Sequence, residues 1–186
     1  SMRDRVWLLV SAKPELAPDG SLRLVVSTFI DISETKRAER HDQFRCHILE
    51  MLAAGKPLPD VLEALVLGVE QLYPAMLCSI LLLDNDGKRF ERGIAPSLPD
   101  FYNKALDGFA IGMGAGSCGT AAFTRQRVIV EDIATHPYWA PYLALATSAG
   151  LGACWSQPIL ASDGRVLGTF AIYHRTAHTP ADQDIY

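Results

Sequence analysis

The sequence lacks closely spaced cysteines, long apolar runs and any stripe of basic residues, and each absence excludes a class of protein. Its four cysteines contain no C-x-x-C pair, which argues against a zinc knuckle and a redox dithiol. No apolar run reaches the roughly eighteen residues of a membrane span, and the first residues lack the apolar region of a signal peptide. These absences predict a cytoplasmic protein with no membrane segment.

Charge and hydrophobicity point to a globular protein that does not bind nucleic acid. The chain has 186 residues, with 17 basic and 21 acidic side chains and a net charge of −4. Because the basic residues are scattered, they do not form the patch that nucleic-acid recognition requires. The 49% of hydrophobic residues is ample for a packed core, so the chain is expected to form one domain, or one domain with an appendage.

The N-terminal part predicts a β-hairpin followed by a helix. Two β-rich runs, 6–10 and 22–30, are joined by turn-forming residues. Asp31 or Ser33 can cap the following helix, and Glu34 can reach back to its start. Apolar residues then recur at three- and four-residue spacing at Phe44, Ile48, Met51 and Leu52. This stripe indicates either pairing with a second copy of the chain or packing on the helix's own domain.

The rest of the chain predicts an α+β fold. A helix opens at Pro59 and stops at Pro74, and two hairpins follow, over 76–94 and 151–174. Between the hairpins lie a helix over 98–106, a glycine-rich run, a strand over 127–131, a loop at His136 and a helix over 139–148. Sequential hairpins favour an antiparallel sheet covered by helices and exclude a doubly wound parallel sheet.

The glycine-rich run 112–122 is the strongest local signal for a binding site. Residues 114–119 match the G-x-G-x-x-G pattern of dinucleotide enzymes, but the preceding strand is too short and the following acids come too early. Two interpretations remain open. The glycines can simply allow a tight turn, with Cys118 as a buried filler. Alternatively, the N–H groups of Ser117 to Thr120, with the hydroxyls of both residues, can hold an anionic or strongly polar ligand group.

From about Leu58 to its end, the chain resembles a GAF domain. The resemblance is carried by residues 112–122, 128–133, 155–159 and 162–171. It implies an α+β sensor fold in which a ligand pocket lies between a six-stranded antiparallel sheet and the inserted loops and short helices. The chain looks most like the GAF domains of bacterial multidomain sensors, which precede histidine kinases or cyclic-di-GMP synthase and phosphodiesterase modules.

The first forty residues resemble the last two strands of a PAS domain. The matching segments are 7–11, 19–21 and 29–34, the last containing the Asp-Ile-Ser-Glu junction to a signalling helix. The two resemblances together imply a PAS hairpin at 1–33, a connector helix at 34–55 and a GAF domain at 56–186 without its C-terminal helix. Pairing of the connector helix implies a homodimer.

The resemblance and the composition together give a set of candidate contacts for an unidentified small-molecule ligand. The glycine run supplies polar groups, the aromatic residues supply walls, and Asp132 or Gln157 supply directional contacts. The set comprises Gly116, Ser117, Cys118, Thr120, Asp132, His136, Tyr138, Trp139, Tyr142, Trp155, Gln157 and Tyr173. No catalytic residue and no metal ligand is predicted.

The free methionine-(R)-sulfoxide reductases are GAF domains, and the chain resembles them around Cys118. Their nucleophilic cysteine has no counterpart within 141–152, however, and their three acidic positions fall at Cys154, Ala171 and Tyr173. A reaction run as in that family lacks its thiolate and its carboxylates, so no enzyme activity is expected. The alternatives left open are a reductase-like enzyme that uses Cys118, in which Cys118 and Cys154 form a different pair, and a dimerisation module that binds no ligand.

Two prosthetic groups of related domains are considered and not expected. Covalent bilin needs a cysteine in the pocket region, whereas the Cys46-His47 dipeptide falls in the connector helix. His136 is a candidate axial ligand for haem. A His-Pro pair in a loop more often bonds to the backbone and shapes a turn, so the sequence favours that role.

Overall fold

The computed structural model describes residues 6–181 and contains two compact units, which meet in sequence between Glu50 and Met51. The first five residues of the predicted PAS segment and the last five of the predicted GAF segment lie outside the described residues. Within residues 6–181, no helix combines the length and the apolar character needed to span a membrane.

The first unit begins with the expected hairpin. Strand β1 (Leu8–Leu16) pairs antiparallel with β2 (Leu22–Asp31), with Leu9 opposite Ile30. In the connecting turn, Gly20 has a φ of +81°, a conformation that glycine adopts at little cost. Many apolar side chains of both strands are exposed within this chain.

Helix α1 (Ser33–Ala53) follows β2 directly. The Ser33 N–H donates to Asp31 Oδ1 over 2.8 Å, whereas the Ser33 hydroxyl accepts the Trp7 N–H over 2.9 Å. Of the two candidate caps, Asp31 therefore satisfies the helix start, and Ser33 ties the helix to β1. The Arg40 guanidinium lies 5.5 Å from the centre of the Trp7 ring.

The Asp31 carboxylate makes the start of α1 sensitive to acid. Hydrogen bonds from Ser33 lower the pKa of Asp31. A group with a lowered pKa in the folded state contributes stability above its unfolded pKa, and that contribution is lost as the pH falls through the folded pKa. We expect the Ser33 amide to lose hydrogen-exchange protection in that acidic range. Asp31→Asn keeps a neutral acceptor and should abolish this pH dependence. Equal pH dependence in both proteins would contradict the role of Asp31.

The second unit is an α+β domain, which confirms the predicted fold class. Helix α2 (Leu58–Leu72) begins with Pro59 in its first turn and ends before Pro74. A five-stranded antiparallel sheet follows, in the order β4-β3-β7-β6-β5. Its strands are β3 (Leu77–Leu83), β4 (Phe90–Ile94), β5 (Val128–Val130), β6 (Ala153–Leu160) and β7 (Val166–His174).

The sheet has five strands in the described residues, one fewer than the resemblance implied. Beyond β4, the chain follows its edge only briefly: Phe90 and Phe109 share a hydrogen bond, and Arg89 forms a single bridge with Ala110. The next residues turn away, because the Gly112 N–H donates to the Gly119 carbonyl oxygen instead of continuing the ladder.

Four short helices are inserted between β4 and β6: α3 (Asp100–Leu106), α4 (Gly116–Thr124), a 3-10 helix (Pro137–Tyr142) and α5 (Leu143–Ser148). The sequence predicted one helix over 139–148. Pro141 lies within the first part of that segment and has no N–H to donate, so a 3-10 helix forms there and the α-helix begins at Leu143.

Alternation along the strands gives the sheet two different faces. On one face, Cys78, Ile80 and Ile94 pack against Val66 of α2. On the other, Leu81, Cys154 and Tyr173 belong to a larger core that includes residues of α3, α4 and α5. The inserted helices thus cover the second face, and the candidate site lies there.

Candidate functional site

A cavity of about 270 Å³ opens between the second face of the sheet and the inserted helices. Its lining is mostly aromatic and aliphatic and includes no charged residue. The lining residues are Phe90, Tyr102, Ala105, Leu106, Phe109, Ala115, Gly116, Ser117, Cys118, Trp139, Tyr142 and Leu145. An apolar cleft with a few polar groups is the usual form of a small-molecule site.

Helix α4 lies close to the sheet because its residues are small. All residues from Gly116 to Ala122 are buried. Gly116 has a φ of +59°, and a Cβ at this position would lie 3.8 Å from the Trp139 ring. Glycine therefore allows the unusual backbone at the start of α4 and leaves room for Trp139 to form one wall of the cavity.

The two hydroxyls of the glycine run are both used within the protein. Ser117 Oγ accepts a hydrogen bond from Trp139 Nε1 over 2.9 Å and donates to the Cys154 carbonyl oxygen over 3.1 Å. Thr120 Oγ1 donates to the Gly116 carbonyl oxygen over 2.6 Å and accepts the Gly114 N–H. The Gly119 N–H, which the sequence offered to an anion, donates to the Ala115 carbonyl oxygen. These groups fix α4, the sheet and the Trp139 wall relative to one another.

Cys118 joins the cavity to a polar cluster on the sheet. Its Sγ lies 3.7 Å from the Tyr173 hydroxyl, which lies 3.3 Å from Ser79 Oγ. A hydrogen bond from Cys154, opposed by burial and aided by Ser156, Tyr173 and Thr169, lowers the pKa of Cys118 to about 7. Burial raises the pKa of Cys154, Tyr102 and Tyr173 well above their ordinary values. Cys118 is therefore the member of this cluster that ionises most readily.

The structure brings five of the candidate contacts together at the cavity: Gly116, Ser117, Cys118, Trp139 and Tyr142. Thr120 and Tyr173 are buried behind this lining, where they hold α4 and Cys118. Tyr138 is partly buried and packs against the surrounding core.

The remaining candidates lie elsewhere in the second unit. Asp132 accepts bonds from the Ala134 N–H and the Thr135 hydroxyl, and His136 Nδ1 accepts the Tyr138 N–H. These two residues shape the loop after β5, which is the role that the sequence favoured for His136. Trp155 points to the opposite sheet face from Cys154 and stacks on His178, with ring centres 5.3 Å apart. Gln157 is exposed and accepts a bond from Arg127.

The sequence reasoning missed the cavity residues outside the glycine run and the aromatic loop. They are Phe90, Tyr102, Ala105, Leu106, Phe109, Ala115 and Leu145. Tyr102, Ala105 and Leu106 have the three- and four-residue spacing of one helix face, which could have indicated the inner side of α3. Within residues 6–181, no three histidine, cysteine or acidic side chains meet in an arrangement that could hold a metal ion.

Among curated proteins, the chain is similar to the methyl sulfide methyltransferase-associated sensor of Methanosarcina acetivorans. The two are 37% identical over 166 residues, which covers 89% of this chain and 17% of that protein. The chain thus spans less than a fifth of the length of this relative.

Solved structures share the fold at lower identity. One is the domain of a two-component sensor histidine kinase protein from Sinorhizobium meliloti, with a TM-score of 0.53 and 23% identity over 70% of this chain and 81% of that one. Another is free methionine-R-sulfoxide reductase from Neisseria meningitidis, with a TM-score of 0.56 and 19% identity over 80% of this chain and 81% of that one. At these identities, the likeness shows a common fold and no common activity.

The family assignment rests on a longer match. Residues 55–186 match the family model of the GAF domain, and the match covers α2, the five-stranded sheet and the inserted helices around the cavity. The chain therefore belongs to the GAF domain family.

Proposed function

We propose that this GAF domain is a sensor that binds a small, uncharged and mainly apolar molecule in the cavity. The observation that carries the proposal is the cavity of about 270 Å³ with its aromatic and aliphatic lining, in a family member whose curated relative is named a sensor. Burial of apolar ligand surface against this lining supplies the binding free energy.

The lining argues for an uncharged ligand over an anionic one. An anion would lose its hydration on entering the cavity, and no cationic side chain belongs to the lining. The Ser117 and Thr120 hydroxyls already have partners within the protein. The thiol of Cys118 and the Tyr102 and Tyr142 rings remain as the groups that select a ligand.

The surrounding architecture supports a role in signal transduction. We propose that residues 1–33 are the end of a PAS domain, that 34–55 is a connector helix that pairs in a homodimer, and that 56–186 is the GAF domain. The output, a histidine kinase or a cyclic-di-GMP synthase or phosphodiesterase, would then belong to a longer protein. The apolar stripe of α1, the exposed apolar strands of the hairpin and the much greater length of the relative support this arrangement.

A reductase-like activity has less support, although the fold is shared with a methionine sulfoxide reductase. Ala171 and Tyr173 occupy the positions of the expected carboxylates and are buried on the cavity side of the sheet. With no acidic residue in the lining, the ammonium group of free methionine sulfoxide has no counter-charge. We expect no turnover of that substrate with a thiol reductant. Multiple turnovers would establish an enzyme instead of a sensor.

Filling the cavity tests the binding proposal. Leu145→Trp places a larger side chain in the lining, while Leu160→Trp makes the same exchange at an exposed position of β6. The probes are a panel of neutral aromatic compounds, such as indole and benzyl alcohol, and matched carboxylates. At 100 times its dissociation constant, a ligand should add about 2.7 kcal/mol to the free energy of unfolding.

We expect a neutral probe to raise the melting temperature of the wild type and of Leu160→Trp, and to have no effect on Leu145→Trp. Stabilisation by carboxylates alone would contradict the proposed ligand chemistry. An equal shift in all three proteins would place the binding site outside the cavity.

A further inference from the structure

Two buried cysteines from different elements meet beside the cavity. Cys118 lies on α4 and belongs to the cavity lining, and Cys154 lies on β6 and is completely buried. Both are free thiols, and their side chains hydrogen-bond to each other. The absence of a C-x-x-C pair, which argued against a redox dithiol, concerned only neighbours in the sequence.

The sheet beneath Cys118 carries two hydroxyls that lack partners in the reduced protein. Ser156 Oγ and Thr169 Oγ1 are buried and make no hydrogen bond of normal geometry. Both residues alternate on their strands with the same face as Cys154 and Tyr173, and both help to stabilise the ionised form of Cys118. Unpartnered buried donors are costly, and a thiolate or an oxidised sulfur at Cys118 offers them an acceptor.

We propose that Cys118 is an oxidation site for hydrogen peroxide and that Cys154 is its resolving thiol. The cavity gives peroxide, a molecule little larger than water, a path to Cys118, and the buried hydroxyls hold the charged and oxidised states of its sulfur. This inference is independent of the proposed ligand-binding function.

The chemistry balances in two steps. The Cys118 thiolate attacks one peroxide oxygen, the O–O bond breaks, and hydroxide leaves and takes up a proton as water, so that Cys118 becomes a sulfenic acid. Cys154 sulfur then attacks Cys118 sulfur, the S–S bond forms, the S–O bond breaks, and the Cys154 proton leaves with the hydroxide as a second water. Two thiols are oxidised to one disulfide as one peroxide is reduced to two waters.

The reaction should be selective among the four cysteines. Burial, followed by the nearby Glu70 carboxylate, raises the pKa of Cys78 to about 12, so its thiolate is scarce. Cys46 is exposed on α1 and has no cysteine partner in the part of the chain that the structure describes. The titratable groups that face Cys118 are Cys154 on β6, Tyr173 on β7 and Tyr102 on α3. Since these groups are neutral near pH 7, they do not repel the thiolate.

The test uses the whole 186-residue chain, treated with hydrogen peroxide, blocked with maleimide and mapped by peptide mass spectrometry. We expect a disulfide between Cys118 and Cys154 and free thiols at Cys78. Cys154→Ser should stop at a dimedone-reactive sulfenic acid on Cys118, and Cys118→Ser should react at least tenfold more slowly at the buried pair. Because the mapping is done on the wild type, it does not depend on whether the variants fold.

The pH profile distinguishes chemistry from packing. We expect the rate at Cys118 to rise with a midpoint near pH 7. Tyr173→Phe removes a hydroxyl that stabilises the thiolate, and should move the midpoint upward while leaving disulfide formation intact at higher pH. Cys78→Ser serves as the control and should leave the profile unchanged. Free thiols at both Cys118 and Cys154 after peroxide has oxidised Cys46 would overturn the proposal.

Discussion

Gly168→Ala should destabilise the second unit by at least about 3 kcal/mol, at the upper end of the cost of overpacking. Gly168 lies in β7, between β3 and β6, where its partners are Leu82 and Ile159. A Cβ at this position would collide with the backbone carbonyl of Leu81 and would lie 3.1 Å from the Leu82 Cα. Backbone atoms of a paired strand cannot rotate aside, so relief requires that the β3–β7 pairing opens.

The measurement is the free energy of unfolding from urea denaturation. Gly112→Ala is the matched control, because a Cβ there meets no atom within 4 Å and the backbone has no positive φ. The control should stay within about 0.5 kcal/mol of the wild type, as is usual for substitutions away from packed features. If both variants have the same stability, the close approach of β3 and β7 does not exist.

Trp139→Ala should cost about 3–5 kcal/mol, the range for truncating a buried aromatic side chain. Trp139 is 4% exposed, forms one wall of the cavity and contacts the start of α4. Truncation merges the volume of the indole with the existing cavity and also removes the hydrogen bond to Ser117 Oγ. The same variant should lose affinity for any neutral ligand of the cavity, because a widened cavity leaves ligand surface without contacts.

Trp139→Phe separates the two contributions. It keeps an aromatic ring against Gly116 but cannot donate to Ser117, so it should cost only about 1 kcal/mol beyond the smaller ring's packing loss. Urea denaturation of both variants provides the comparison. Equal losses for phenylalanine and alanine would assign the effect to the hydrogen bond, and a loss below about 1 kcal/mol for alanine would contradict the burial of the wall.

The positions of single elements were predictable where one local rule dominates. Pro59 and Pro74 bracket α2 because proline favours a first turn and cannot continue a helix. The turn Asp163-Gly164 joins β6 and β7, since Gly164 accepts a φ of +81°. The helix over 139–148 was less accurate, because Pro141 changes the hydrogen bonding of the first part of that segment.

The candidate site was predictable only in the part that is continuous in the sequence. The glycine run and the Trp139 loop supply one side of the cavity, and their composition marks them. Tyr102 and Phe90 form the other side, yet each has the appearance of an ordinary core residue. Trp155 and Gln157 were drawn into the predicted site by their type, although alternation turns Trp155 to the opposite face and leaves Gln157 in solvent.

The sequence alone determined the α+β class, the hairpins, the resemblance to GAF domains and the importance of the glycine run, because these depend on local periodicity, turn chemistry and motifs. Only the tertiary structure decided which side chains share the cavity, that the Ser117 and Thr120 hydroxyls are already bonded, and that Cys118 meets Cys154. These facts depend on how closely α4 approaches the sheet. That approach is set by buried contacts between residues far apart in the chain, which no local pattern encodes.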